Sequence, residues 1–157
     1  MKTLNLPLFI TICISLLTTS FCKKNNDDGI STAKGCSASW TVNGTNYSKD
    51  NMALCVYLDN TLHLSSSASG GDFQLQIDPI SNTGTFQADT GNPDQSVIVI
   101  IKLNDGTLIG IKSGQIVVTE LSTSKAKGTF SGDFFDLADV NQTPSFTVTN
   151  GKFESNF

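Results

Sequence analysis

Alternation with a period of two dominates the chain from residue 36 onward. In "SASWTV" (37–42), Ala38, Trp40 and Val42 fall on one face, as the inward side of a strand requires. "NG" at 43–44 predicts a type I′ hairpin turn, and "TNYS" with Tyr47 follows it. "MALCVYL" (52–58) is apolar nearly throughout and predicts a strand buried on both faces. "DN" at 59–60 turns the chain into "TLHLSSS", where Leu62 and Leu64 alternate with His63. In "DFQLQID" (72–78), Phe73, Leu75 and Ile77 point inward, and Gln74, Gln76 and Asp78 outward. A turn at "PISNTG", a short strand around Phe86 and a loop "DTGNPDQ" lead to "SVIVIIKL" (96–103). That stretch is the most apolar and predicts a central strand. "NDG" (104–106) predicts another hairpin turn, followed by separate strands "TLIGIK" and "GQIVVTEL" (114–121), then "AKGTFSGDFFDL" (126–137). The last segment, "PSFTVTNGKFESNF", places Phe146 and Val148 on one face, with Phe153 just beyond Gly151. No stretch has the period of an amphipathic helix, and "DLADVNQ" (136–142) suits one helical turn at most. About ten short strands separated by Asn-Gly and Asp-Gly turns predict an all-β fold. The expected form is an antiparallel β-sandwich, with a flattened β-barrel as the alternative.

The first 35 residues break this pattern. Lys2 precedes a mostly apolar run, Leu4 to Leu17. The run is shorter than the roughly 20 apolar residues a membrane span needs. Small polar residues follow it, as in a signal peptide covering residues 1–21. Thr19 and Ser20 before Cys22 resemble a bacterial lipoprotein signal, while Phe21 is bulkier than the residue usual at its position. The resemblance implies that the Cys22 thiol carries diacylglycerol and that its amine, freed by cleavage, takes a further acyl chain such as palmitate. Two or more chains anchor a protein stably without a transmembrane helix. Ordinary signal-peptidase cleavage nearby, releasing a secreted protein, is the alternative. "KKNNDDGISTAKG" completes a polar stretch, residues 22–35, that cannot bury enough surface to offset its ordering and reads as a tether. Residues 36–157 are long enough to form one domain with a core.

Composition narrows the partners. The chain has 14 acidic residues against 10 basic ones, and all the basic ones are lysine. Net negative charge argues against nucleic acid. Without arginine there is no bidentate clamp for phosphate, which argues against nucleotides. Of four cysteines, Cys13 leaves with the signal and Cys22 takes lipid, so Cys36 and Cys55 remain. An oxidising compartment favours a disulfide between them, worth on the order of 3 kcal/mol; two buried free thiols are the alternative. With His63 as the sole histidine, no zinc motif is present.

Candidate chemistry is sparse. His63 alternates away from Leu62 and Leu64, and the nearby Ser65, Ser66, Ser67 and Ser69 sit in a strand end and loop rather than on a strained elbow. Aspartates are numerous, yet most lie in or beside turns, where they bond their own backbone. No metal or cofactor is expected. The mildest candidates for calcium are Asp133, Asp136 and Asp139 with Asn141, and the loop bearing Asp89, Asn92 and Asp94. Trp40 reads as a core residue before a glycan platform. Phe134 and Phe135 are adjacent, so one of them must face outward.

"CSASWTVNGTNYS", "SGQIVVTELSTSKAKGTFSGDF" and "VTNGKFESNF" resemble segments of an uncharacterised family of small β-rich Bacteroidota lipoproteins. Lys127-Gly128-Thr129-Phe130 and Val148-Thr149-Asn150-Gly151-Lys152-Phe153 carry the likeness, and both look structural: turns plus core aromatics. "KKNNDD" is similar to the acidic surface-export stretch of some such tethers. The resemblance implies a β-sandwich in the cell envelope, on the outer membrane and facing either the surface or the periplasm. It implies no activity and no catalytic residues. The expected function is a non-enzymatic binding or structural module, with a glycan or a protein as ligand. A small carboxylate-dependent, glycan-active hydrolase is the alternative.

Overall fold

A computed structural model describes residues 35–67, 71–88 and 94–157. The segment read as a signal (1–21), Cys22, the stretch read as a tether up to residue 34, and Ser69, Asp89 and Asn92 lie outside the described residues. The strands are β1 (Ser37–Val42), β2 (Thr45–Asp50), β3 (Leu54–Leu58), β4 (Thr61–Ser65), β5 (Phe73–Asp78), β6 (Gly84–Gln87), β7 (Ser96–Lys102), β8 (Leu108–Ser122), β9 (Lys125–Asp136) and β10 (Pro144–Asn156). All pairings are antiparallel, and no described residue is helical. The ten strands form one sheet in the order β2-β1-β10-β9-β8-β7-β5-β4-β3, with β6 on β8 off this path.

The sheet is strongly curled. Its two ends therefore oppose each other as the layers of a sandwich would. Trp40 of β1 stacks on Phe73 of β5, and Phe73 meets Phe130 of β9, with centroids 4.8 and 5.8 Å apart. Leu62, Leu64, Leu75, Ile77, Val99, Ile101, Ile109 and Ile116 fill the same interior, all fully buried. Cys36, just before β1, is disulfide-bonded to Cys55 on β3, the far edge of the sheet. The Met52 amide donates to the Cys36 carbonyl at 3.2 Å beside it. The disulfide thus joins the two ends of the sheet.

Turn chemistry follows the sequence closely. Asn43 and Gly44 both have positive φ, as do Asp59 and Asn60, the backbone of a type I′ turn that matches strand twist. Four expectations need correction. "MALCVYL" is not buried on both faces: β3 is an edge strand, and Val56 and Leu58 are 38% and 67% exposed. An apolar run signals burial on both faces only where a second layer also covers the sheet's outer face, and among the described residues nothing covers the outward Val56 and Leu58. "TLIGIK" and "GQIVVTEL" are one strand of 15 residues. A bulge between Ile111 and Ser113 shifts the inward parity from Ile109 to Ile116, and this shift made one strand look like two. That length lets β8 serve two neighbours, β7 along 108–110 and β6 along 115–118. "VTNG" is likewise a bulge inside β10, with Asn150 at φ 54, rather than a turn. Residues 136–142 make two successive turns, closed by Asp139 N–H to the Asp136 carbonyl and Gln142 N–H to the Asp139 carbonyl, in place of a helical turn.

Gly114 of β8 lies directly opposite Gly132 of β9. A Cβ on Gly132 would sit 2.2 Å from the Ser113 carbonyl oxygen, and one on Gly114, at φ +147, 2.3 Å from that of Ser131. Only glycine permits this approach.

Candidate functional site

A polar concavity lies where the curled ends of the sheet meet. Alternation along β1 turns Trp40 inward, and register places Tyr47 of β2 directly opposite it. The two rings lie 6.1 Å apart and 2° from parallel, and Phe73 also stacks on the indole, 4.8 Å away. Two residues beyond Tyr47, Lys49 reaches across the seam and donates to Asp72 Oδ2 at 2.6 Å. Lys102, at the end of β7, lies 3.8 Å from Asp72 Oδ1. Asp72 is held at both backbone groups: its N–H donates to Ser66 Oγ at 2.7 Å, and its carbonyl accepts the Lys102 N–H at 2.8 Å. Leu103 and Asn104 complete a cleft of about 290 Å³.

Electrostatics here is asymmetric. Two ammonium groups face one carboxylate. The hydrogen bond from Lys49, then its charge, then the charge of Lys102 hold the Asp72 carboxyl below its ordinary value. The Trp40 indole Nε1–H is buried without a hydrogen-bond partner in a side chain only 3% exposed. A buried donor left unmatched costs roughly 1–3 kcal/mol and calls for a missing partner. Among the described residues, the Tyr47 hydroxyl and the Asn104 amide also carry no hydrogen bond.

A second concavity of about 400 Å³ lies on the outer face of β2, β1, β10 and β9, floored by Ser37, Ser39 and Ser48. Of its charged lining, Lys127 pairs with Glu154 at 3.0 Å, while Asp50 and Lys152 form no ion pair among the described residues; Lys125, outside the lining, lies 3.7 Å from Glu154 and 3.6 Å from Glu120. The Glu154 contact raises the Lys127 ammonium, and the same hydrogen bond lowers the Glu154 carboxyl.

The residues singled out in the sequence do not assemble into one site. His63 lies on the outward face between Val56 and Gln76, half-buried, with Nε2 unpartnered; burial lowers its pKa. The Ser65 hydroxyl donates to the Ser67 carbonyl at 2.6 Å. The calcium candidates are engaged separately. Asp133 accepts from Thr147 Oγ1 at 3.3 Å, and Asp136 from the Ala138 amide at 2.9 Å. Asp139 accepts from the Thr143 and Asn141 amides, both at 2.9 Å, and these bonds lower its pKa. Among the described residues, no three His, Cys, Asp or Glu side chains gather to hold a metal. Phe134 is fully buried and Phe135 faces the other way, half-exposed. Trp40 is core, as read.

Lys49, Lys102 and Asn104 escaped the sequence reading. Each looks like an ordinary strand-end or turn residue, and only the curl of the sheet gathers them around Trp40 and Asp72. Compared with protein-family models, curated proteins and solved structures, the chain matches none.

Proposed function

We propose that this chain is a lipid-anchored, non-enzymatic binding module of the cell envelope, one of the small β-rich Bacteroidota lipoproteins it resembles. The signal-like first 21 residues, Cys22 and the polar stretch after it support the anchor. The seam cleft supports binding. The observation that carries this reading is the buried, unpartnered Trp40 N–H beside a cleft with two lysines and one aspartate. A ligand acceptor reaching that N–H replaces a desolvated donor by a hydrogen bond, so binding gains from an existing deficit. The rings around Trp40 and the backbone bonds of Asp72 set the geometry before the ligand arrives, which limits the ordering cost.

Two experiments test the two halves. Full-length chain and Cys22→Ala are expressed in a Bacteroidota host, and intact cells are treated with protease. Loss of the membrane fraction in Cys22→Ala is expected, and digestion in intact cells places the domain on the surface. An unchanged membrane fraction removes the anchor. For binding, a glycan and small-acid panel is screened by thermal shift. A ligand at a hundred times its Kd stabilises by about 2.7 kcal/mol. The reading fails if no compound shifts the wild type, or if every shift persists unchanged in Asn104→Ala and Lys102→Gln.

A further inference from the structure

We infer that the seam cleft recognises a carboxylate, as borne by an acidic sugar. The inference rests on the cleft being the binding site. Its donors are not engaged by other described residues: the Trp40 N–H is buried without a partner, and the half-buried Tyr47 hydroxyl and the exposed Asn104 amide bond no other described side chain or backbone group. The Lys102 ammonium stands 3.8 Å from Asp72, close enough for an ion pair and too far for a hydrogen bond. The one carboxylate of the cleft, Asp72, already accepts from Lys49 at 2.6 Å. A cationic ligand would compete with two lysines for it. An acceptor-rich anion meets donors that are still free.

Charge sets the valence. Lys49 and Lys102 against Asp72 leave one positive charge uncompensated, which matches a monoanion rather than a phosphate dianion. The chain has no arginine for bidentate phosphate recognition. Trp40 already stacks with Phe73 and lies parallel to Tyr47, and it is only 3% exposed, so the indole offers a ligand little face to stack on. With a net charge of −4 on the whole chain, long-range steering works against an anion, so the attraction is local to the cleft.

Trp40 is the only tryptophan of the chain, so intrinsic fluorescence reads the cleft directly. The full chain, purified from membranes in detergent, is titrated at fixed ionic strength with galacturonate, galactose, acetate and sulfate. Galacturonate is expected to change the Trp40 emission and to bind at least about tenfold more tightly than galactose. Lys102→Gln, at an exposed position, should weaken it by about tenfold, the loss of one charged hydrogen bond. Asn104→Ala provides a second reading without disturbing the Asp72 ion pairs. Acetate binding as well as galacturonate supports recognition of the carboxylate alone; galacturonate without acetate supports a requirement for the sugar body. Equal binding of galactose, or of sulfate, overturns the carboxylate and leaves the cleft as a binding site. If none of the four moves the Trp40 emission, the carboxylate inference fails; if the wider panel also leaves it unmoved, the cleft itself is discarded.

Discussion

Trp40 on β1 and Phe73 on β5 stack with centroids 4.8 Å apart and planes 21° from parallel, although their strands lie far apart in the sheet. This contact closes the curl and also sets one wall of the seam cleft. Phe73 is fully buried, so Phe73→Ala should cost about 3–5 kcal/mol, and Phe73→Leu considerably less. Urea denaturation followed by Trp40 emission measures both. A cost below about 1 kcal/mol for the alanine variant would mean the ends of the sheet do not depend on this stack.

Cys36 and Cys55 join the same two ends at a sequence separation of 19. Replacing both by alanine should lower stability by about 3 kcal/mol. The native strand signature in circular dichroism should persist, since the stack and the core remain. Reductant should lower the wild-type melting temperature and leave the double variant unmoved; an equal response of both would place the effect elsewhere.

Gly132 of β9 faces Gly114 of β8. Gly132→Ala puts a methyl group 2.2 Å from a backbone oxygen, which no rotamer can relieve. The expected loss is at least about 1–3 kcal/mol. Gly44→Ala, with open space around its Cβ but φ +87, tests conformational strain alone and should cost about 1 kcal/mol. Similar melting temperatures for the two would contradict the close approach.

Stability should fall with acid in two stages. Burial lowers the His63 pKa, so the unfolded chain binds the proton first, and the loss begins as pH drops through about 6.5. Asp72, Asp139 and Glu154 have lowered pKa values, from hydrogen bonds with Lys49, with the Thr143 amide and with Lys127 respectively. Their contribution is present above the ordinary carboxylate range, near 4, and is lost as pH falls through their folded values. Lys127 runs the other way: its raised pKa favours the fold until pH climbs through that value. Melting temperature against pH checks this, and His63→Gln should remove the first stage only.

Asp139 uses both carboxylate oxygens on backbone amides. Calcium or chelator should therefore leave the melting temperature unchanged within error. Asp139→Ala should loosen the 137–143 connection, seen as faster amide exchange at Asn141 and Thr143. A calcium-dependent shift that Asp139→Ala abolishes would restore the loop as a metal site.

The hydrophobic alternation by itself determined the all-β class, the positions of most strands and the inward residues, because side chains in a strand alternate whatever the neighbours are. The turns at 43–44 and 59–60 were equally legible, since their backbone demands residues that tolerate positive φ. The pairing of Cys36 with Cys55 followed from counting cysteines. Tertiary structure alone decided which strands are edges, and that no second layer of described residues covers the outward Val56 and Leu58 despite an apolar run. It also decided the continuity of β8 through a bulge, because one extra residue reverses parity without ending a strand. The cleft was out of reach for a related reason. Trp40, Tyr47, Lys49, Asp72, Lys102 and Asn104 come from separate strands and a turn, and no local spacing encodes their meeting. The curl of the sheet brings them together, and that curl arises from contacts between residues distant in the chain.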